Sequence, residues 1–279
     1  MPDPKPNRAT PREITSPANP LLKIFRHALA EGVTREGWLA VEGPHALEEA
    51  LAAGANVTVQ SVLASQSAAE EFHVLLDRLP REAEIALVDD HLFTRVASTQ
   101  SPQGIAALVE LIPEDLDSLL RRHDALLVVA CGLQDPGNLG SIMRSAVALG
   151  ATALLTLKET VSPFNPKAAR SSAGAIFHLP VFPGLEAADL FPSLSAARVR
   201  TIGAERESPH ALHQADLKGP LAFLIGKEST GLPREILDRA DMLLSIPIRP
   251  GMDSVNAATA AGIFLYEAAR QRGFKMMCG

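Results

Sequence analysis

Three short polar stretches in the second half of the chain hold residue types suited to chemistry on an anionic or hydroxyl-bearing ligand. The first is Gly132-Leu-Gln-Asp-Pro-Gly-Asn138-Leu-Gly-Ser-Ile-Met-Arg144, a glycine–proline turn running into a helix that Gly150 stops. Asn138 is a candidate N-cap for that helix. Arg144 is harder to place. Helical side chains lean toward the helix N-terminus, and the positions three and four before Arg144 are Ser141 and Gly140, both small. They leave room for the guanidinium to lie back over the helix start. A cation there opposes the helix dipole by a few tenths to ~1 kcal/mol, so an anion is expected nearby, either a protein carboxylate or a phosphate. The bland alternative is an arginine in solvent.

The second stretch is Ile225-Gly226-Lys-Glu228-Ser-Thr-Gly231-Leu-Pro233. Glycines around an acid at the end of an apolar strand suggest close backbone approach to a ligand, with Glu228 as partner for a cation. It lacks the G-x-x-x-x-G-K-[ST] spacing of a phosphate-binding P-loop. The third, Ile246-Pro-Ile-Arg-Pro-Gly-Met-Asp-Ser254-Val-Asn256, leads from a strand closed by proline into an Ala-rich helix over 256–272, with Asp253 or Ser254 placed to cap it. A strand, a tight polar loop and a buried helix expose several backbone N–H groups at one place, which suits a ligand. An ordinary core helix has the same pattern.

The elements that must position these stretches are α/β throughout. Residues 1–13 are polar and proline-rich and are expected to be disordered. A first α/β unit then spans 14–110: helix 20–31, strand 37–41, helix 44–53, strand 57–63, helix 68–79, strand 85–88, helix 89–96 and strand 104–109. A charged stretch at 111–123 reads as a linker that can be helical. From 124 a second unit opens on the continuous apolar run Ala125–Cys131, the mark of a parallel strand buried on both faces. Further strands are expected at 152–157, 176–181, 199–204, 221–225 and 242–246, with helices between them. Alternating βα units imply a parallel sheet with ligands at the carboxyl ends of its strands.

Composition narrows the classes. The 279 residues carry a net charge of −6, which argues against nucleic-acid binding through the bulk field. The first 35 residues nonetheless hold six Lys/Arg against three acids. Two distant cysteines, Cys131 and Cys278, suggest neither a disulfide framework nor a thiolate metal site. Cys131 reads as a small buried hydrophobe and Trp38 as core. His178, His210 and His213 lack metal-ligand spacing. There is no membrane-length apolar run and no signal segment, so a cytoplasmic protein that does not enter a membrane is expected.

Taken together, the three stretches resemble the SPOUT superfamily, specifically the SpoU-type RNA 2′-O-ribose methyltransferases. The residues that match are Asn138-x5-Arg144, then Gly226-x-Glu228-x-x-Gly231, then Ile246-Pro247…Asp253-Ser254-x-Asn256…Gly262…Leu265-Tyr266-Glu267, with Ser171–Pro180 between the first two. The resemblance covers roughly 124–272. More loosely, Ile14-Thr-Ser…Asn19-Pro20…Trp38-x-x-Val-Glu42-Gly43 is similar to the substrate-binding domain these enzymes carry, built like a ribosomal RNA-binding protein.

The resemblance implies a C-terminal parallel-sheet methyltransferase domain (124–279) threaded into a trefoil knot. It also implies S-adenosylmethionine held around Ala204, Gly226, Ile246 and Val255, no metal, and a homodimer. Arg144 is then the family's base or base activator. Because an arginine is effectively always protonated, a role in holding phosphate and developing charge is physically easier. Asn138, Glu228, Ser254 and Asn256 would orient Arg144 and the ribose. RNA would be met by Lys23, Arg26 and Arg35 of the first domain and by Arg170 of the second, for which a solvated helix face is the alternative, as for Lys167. The expected activity is methylation of a ribose 2′-hydroxyl, with large-subunit ribosomal RNA preferred over transfer RNA as substrate. From other classes, the alternatives are a catalytically silent RNA-binding or ribosome-assembly factor and an unrelated nucleotide-binding protein. The last would need a G-x-G-x-x-G turn that Gly132–Gly140 does not supply.

Overall fold

The computed structural model describes residues 11–274. The first ten residues, expected to be disordered, and Cys278 lie outside that range. The chain forms two compact units that divide after Ile112.

The first unit runs β1 (Arg12–Glu13), α1 (Pro20–Glu31), β2 (Leu39–Glu42), α2 (Pro44–Ala52), β3 (Val57–Ser65), α3 (Gln66–Glu71), α4 (His73–Leu76), β4 (Glu84–Val88), α5 (Asp90–Thr94) and β5 (Ile105–Leu111). Its mixed sheet has the order β1-β4-β3-β5-β2. Asn19 caps α1 through Leu21 N, Pro20 fills the first turn, and Gly32 ends it at φ 102°. Leu22, Phe25, Ala28 and Leu29 of α1 join Leu63, Ala86, Phe93 and Leu108 in this unit's core. Trp38 packs partly buried against the same core.

Two expectations change here. Arg12 and Glu13 pair in parallel with Ala86 and Leu87, so order begins before residue 14. The helix expected over 68–79 breaks into α3 and α4 at Phe72, whose φ of −102° and ψ of 25° leave the helical well.

The second unit runs α6 (Leu116–Leu120), β6 (Leu126–Ala130), α7 (Pro136–Ala148), β7 (Ala153–Leu157), α8 (Pro166–Ser171), β8 (Val181–Leu185), α9 (Ala187–Ala196), β9 (Arg200–Ala204), β10 (Leu221–Ile225), α10 (Arg234–Leu237), β11 (Met242–Leu244) and α11 (Ala257–Gln271). The stretch read as a linker is therefore put to use: Leu111 ends β5, and Leu119 and Leu120 of α6 are buried in the second core. The strand expected at 176–181 is instead a 3₁₀ turn at Ala175–Phe177, with the strand delayed to β8. Ala173 at φ 47° and Gly174 at φ 87° turn the chain there, and the apolar side chains Ile176 and Phe177 are buried as a plug rather than as a strand.

All strand pairings of this sheet are parallel, in the order β11-β9-β10-β6-β7-β8. The order places β6 beside β10, although the chain runs from β6 outward to β8 before returning. Loops leaving β6 and β10 thus diverge at a switch in strand order, the usual place for a ligand crevice in such sheets. With β9 and β11 adjacent, the loops carrying the three polar stretches all leave the same edge of one sheet.

Candidate active site

The first two polar stretches begin where the fully buried strands β6 and β10 end, and the third follows the edge strand β11, of which Leu244 is buried. The turn after β6 is held by Thr160, whose Oγ1 accepts from Gly132 N (2.9 Å) and donates to Ala130 O (3.0 Å). Gly132 sits at φ 79°, and a Cβ there would lie 2.6 Å from Lys227 Cε, so the stem of Lys227 from the second stretch rests on it. Cys131, just before this glycine, is buried, and burial pushes its thiol up to about 12, which leaves it inert.

α7 begins differently from the sequence expectation. Pro136 occupies its first turn and Asp135, not Asn138, is the N-cap, accepting from Asn138 N at 2.9 Å. A proline lacks the N–H that helix interiors need but fits the first position, which moves the start three residues upstream. The N–H of Asn138 and the ammonium of Lys167, 3.3 Å away, hold the Asp135 carboxyl below its usual range. Relieved of capping, the Asn138 side chain turns across the sheet edge.

Its amide joins the other two stretches. Asn138 Nδ2 donates to Glu228 Oε1 at 2.7 Å, and Asn138 Oδ1 accepts from Asn256 Nδ2 at 2.9 Å. Asn256, rather than Asp253 or Ser254, is the N-cap of α11, its Oδ1 accepting from Ala258 N (2.8 Å) and Thr259 N (3.3 Å). One amide therefore ends a helix with its oxygen and fixes a second amide with its nitrogen. The chain Asn256, Asn138, Glu228 is directional, because a carboxylate only accepts and forces Asn138 to present its NH₂. The expected cation partner of Glu228 is thus replaced by a neutral amide.

Beside this chain lies a cavity of about 310 Å³, within the roughly 300–1,000 Å³ of small-molecule sites. Ala204, Gly226, Ile246 and Val255 line it, together with Glu228 and Ser254. The loop after β10 is pinched at its neck, where Lys227 and Gly231 exchange backbone hydrogen bonds at 2.9 Å in both directions. A Cβ on Gly226 would lie 2.2 Å from Gly231 C and 2.4 Å from Leu232 N, so only glycine fits. Apolar Leu244, Ile248 and Ala260 share the lining with Glu205, Arg206 and Lys227, charges of both signs.

Other expected site residues are not among those that line the cavity. Arg144 is exposed on α7 and has no hydrogen-bond or ion-pair partner among the described residues. The room expected beside it at Gly140 is filled by α8, since a Cβ there would meet Ala168 O at 2.4 Å and Ser171 Cβ at 2.5 Å. Among the described residues no carboxylate answers its charge. Arg170 is exposed on α8, while Lys167 is engaged with Asp135. Lys23 and Arg26 are exposed on α1, and Arg35 lies beside Glu36 in the turn before β2. No group of His, Cys, Asp and Glu among the described residues is arranged to hold a metal ion. Sequence reading missed Asp135, Lys227 and Arg206, which belong to no motif; Gly132 was the signal for Lys227, since an αL glycine that is also packed upon marks a close approach.

Comparison with known proteins places this arrangement. The family model described as "SpoU rRNA Methylase family" matches residues 125–266, and the one described as "MRM3-like substrate binding domain" matches 33–107. The chain is 33% identical over 264 residues to an uncharacterized tRNA/rRNA methyltransferase of Synechocystis sp., covering 93% of this chain and 94% of that one. It is 36% identical over 201 residues to the 23S rRNA (uridine(2479)-2′-O)-methyltransferase of Streptomyces viridochromogenes, covering 70% of each. The crystal structure of the SpoU methyltransferase AviRb from Streptomyces viridochromogenes in complex with AdoMet aligns at a TM-score of 0.81 with 29% identity, over 91% of this chain and 98% of that one. With the family model spanning half the chain and the Synechocystis relative nearly all of it, the protein belongs to the SpoU rRNA methylase family.

Proposed function

We propose that this enzyme transfers a methyl group from S-adenosylmethionine to a ribose 2′-hydroxyl in large-subunit ribosomal RNA. The observation that carries the reading is the junction of the Asn256–Asn138–Glu228 chain with a cavity lined by the ends of three neighbouring parallel strands, β9, β10 and β11. The lining fits the cofactor: apolar side chains suit an adenosine, and charges of both signs suit an amino-acid zwitterion. Ala204, Gly226, Ile246 and Val255 would hold it. When bound, S-adenosylmethionine supplies an already activated sulfonium methyl, so the protein's work is to orient the 2′-oxygen and manage its charge and proton.

Asn138 and Asn256 fix the loops that face the cavity, and Glu228 and Ser254 stand in its wall. Arg144 presents a permanent positive charge with no anion among the described residues to neutralise it. That supports contact with the RNA phosphate and with charge developing on the 2′-oxygen. Lys23, Arg26, Arg35 and Arg170 extend the basic contacts. Ile263 and Tyr266, 36% and 53% exposed on α11, suit a homodimer contact, and the C-terminal part of the domain would carry the trefoil knot. No described helix is long and apolar enough to cross a membrane, and the substrate would be met in the cytoplasm.

Labelled methyl transfer to separated large-subunit, small-subunit and transfer RNA from a strain lacking the protein tests the substrate. Label confined to one 2′-O-methyl ribose of the large-subunit RNA is expected; label in transfer RNA alone would replace the substrate assignment, and cofactor binding with no transfer to any pool would favour a silent binding factor. Charge reversal at Lys23 and Arg26 should weaken RNA binding and leave cofactor affinity intact.

A further inference from the structure

Arg206, which none of the three motifs contains, lines the cavity beside Asp253, Ser254 and Val255. Its Nη1 donates to the main-chain oxygen of Asp253 at 3.1 Å, and Glu207 Oε1 holds its Nη2 at 2.8 Å. The loop bearing Arg206 is itself fastened to the edge strand. Glu205 N donates to Leu244 O, Ser208 Oγ to Leu243 O, and Ser245 N to His210 O, at 3.0, 2.6 and 2.8 Å.

The opposite wall is held far more thinly. Residues 247–255 carry Ile248, Ser254 and Val255 into the cavity lining. Pro247 and Pro250 offer no donor, and positions 249–254 are exposed, Met252 by 63%. Among the described residues the hydrogen bonds of this segment are Met252 N to Arg249 O, within it, and Arg206 to Asp253 O, from outside. Past it, Asn256 is tied to Asn138. From outside, the segment is thus held only near its C-terminal end among the described residues, by Arg206 at Asp253 and, three residues on, by the bond between Asn256 and Asn138.

We infer that Arg206 is a positioning residue, a latch that fixes the 247–255 segment against the cofactor and so sets cofactor affinity and residence time. The inference rests on the cavity being the S-adenosylmethionine site. A charged donor on a carbonyl at the mouth of a site acts on the rate of escape more than on the rate of entry.

The test uses the full chain without RNA: calorimetric affinity for S-adenosylmethionine and stopped-flow release of S-adenosylhomocysteine, for wild type, Arg206→Ala, Arg206→Lys and Glu207→Ala. With the cofactor absent, Arg206→Ala should melt with the wild type, because Arg206 is 52% exposed and its pair with Glu207 lies on the surface. With it present, dissociation should quicken and affinity fall by about 3- to 10-fold. Lysine at 206 should recover part of the loss, and Glu207→Ala should give a smaller loss than Arg206→Ala. Wild-type affinity and release in Arg206→Ala would overturn the latch while leaving the cavity assignment standing. So would a loss accompanied by an equal drop in cofactor-free melting, which would make Arg206 merely structural. A wild-type chain that binds no cofactor would remove the cavity assignment, and the latch with it.

Discussion

The arrangement of Asn138 turns on a single amide orientation. Glu228 only accepts, so Asn138 must give its NH₂ to it and keep its oxygen for Asn256. Replacing Glu228 by glutamine keeps an acceptor oxygen in place and should cost methyl transfer about 10-fold or less. Glu228→Ala removes the acceptor, frees the Asn138 amide to rotate, and should cost about 100-fold. Single-turnover rates at saturating cofactor separate the two. Equal losses would mean that the charge of Glu228, not its acceptor, is what matters. The residue types of this site were legible in the sequence, but their partners were not. Asn138 looked like a cap because caps are the commonest use of asparagine before a helix; Asp135, three residues earlier and followed by proline, had the stronger claim. Glu228 looked like a cation's partner because nothing local revealed that an amide 90 positions away would reach it.

At the level of elements, the glycines decide how the loops close. Gly226 has no room for a methyl group between β10 and the returning Gly231–Leu232 backbone. Gly226→Ala should splay the neck of this loop, lower stability by about 1–3 kcal/mol, and weaken cofactor affinity at least about 10-fold. Calorimetry and thermal melting on one preparation check both; unchanged affinity would show that the loop does not shape the cofactor site. Strands and long helices were readable because their signals are local. Asn19, Pro20 and Gly32 bracket α1, and α11 keeps its apolar stripe, with Phe264 meeting Phe223 of β10 edge-on at 5.2 Å. The 3₁₀ turn at 175–177 was not readable, because a short apolar run fits a buried strand or a buried turn equally well and only the backbone at Ala173 and Gly174 distinguishes them.

Across the whole molecule, stability in acid should depend on Glu267. Arg270 grips its carboxylate with two hydrogen bonds, at 2.7 and 2.9 Å, and Gln271 adds a third at 2.8 Å while tying α11 to Ala215 and Leu217. Chiefly through Arg270, the carboxyl is held at about 2 instead of 4.5. A lowered folded-state value means the ionised form stabilises the fold. That contribution is complete above pH 4.5 and is lost as the pH falls toward 2. Partial solvent screening leaves it on the order of 1–3 kcal/mol. Glu267→Gln should flatten the acid limb of a stability-against-pH curve in that window and lower stability at neutral pH; an unchanged acid limb would remove Glu267 from the explanation. The motif position of Glu267 thus has a structural use, bracing Gln271 as it ties the last helix to the loop between β9 and β10. The parallel order of that sheet was implied by the alternating pattern, but the adjacency of β6 and β10 was not. It requires contacts between strands about 90 residues apart in sequence, beyond the reach of any local pattern.

The central claim is that Arg144 serves the reaction and not the fold or the cofactor. The direct measurement is single-turnover methyl transfer by wild type and Arg144→Ala, on large-subunit RNA from a strain lacking the protein, with cofactor affinity and melting temperature taken on the same samples. Transfer should fall by about 100- to 1,000-fold, with affinity unchanged and stability within ~0.5 kcal/mol, as befits an exposed side chain with no partner among the described residues. Transfer at the wild-type rate, or transfer lost together with cofactor binding, would contradict it.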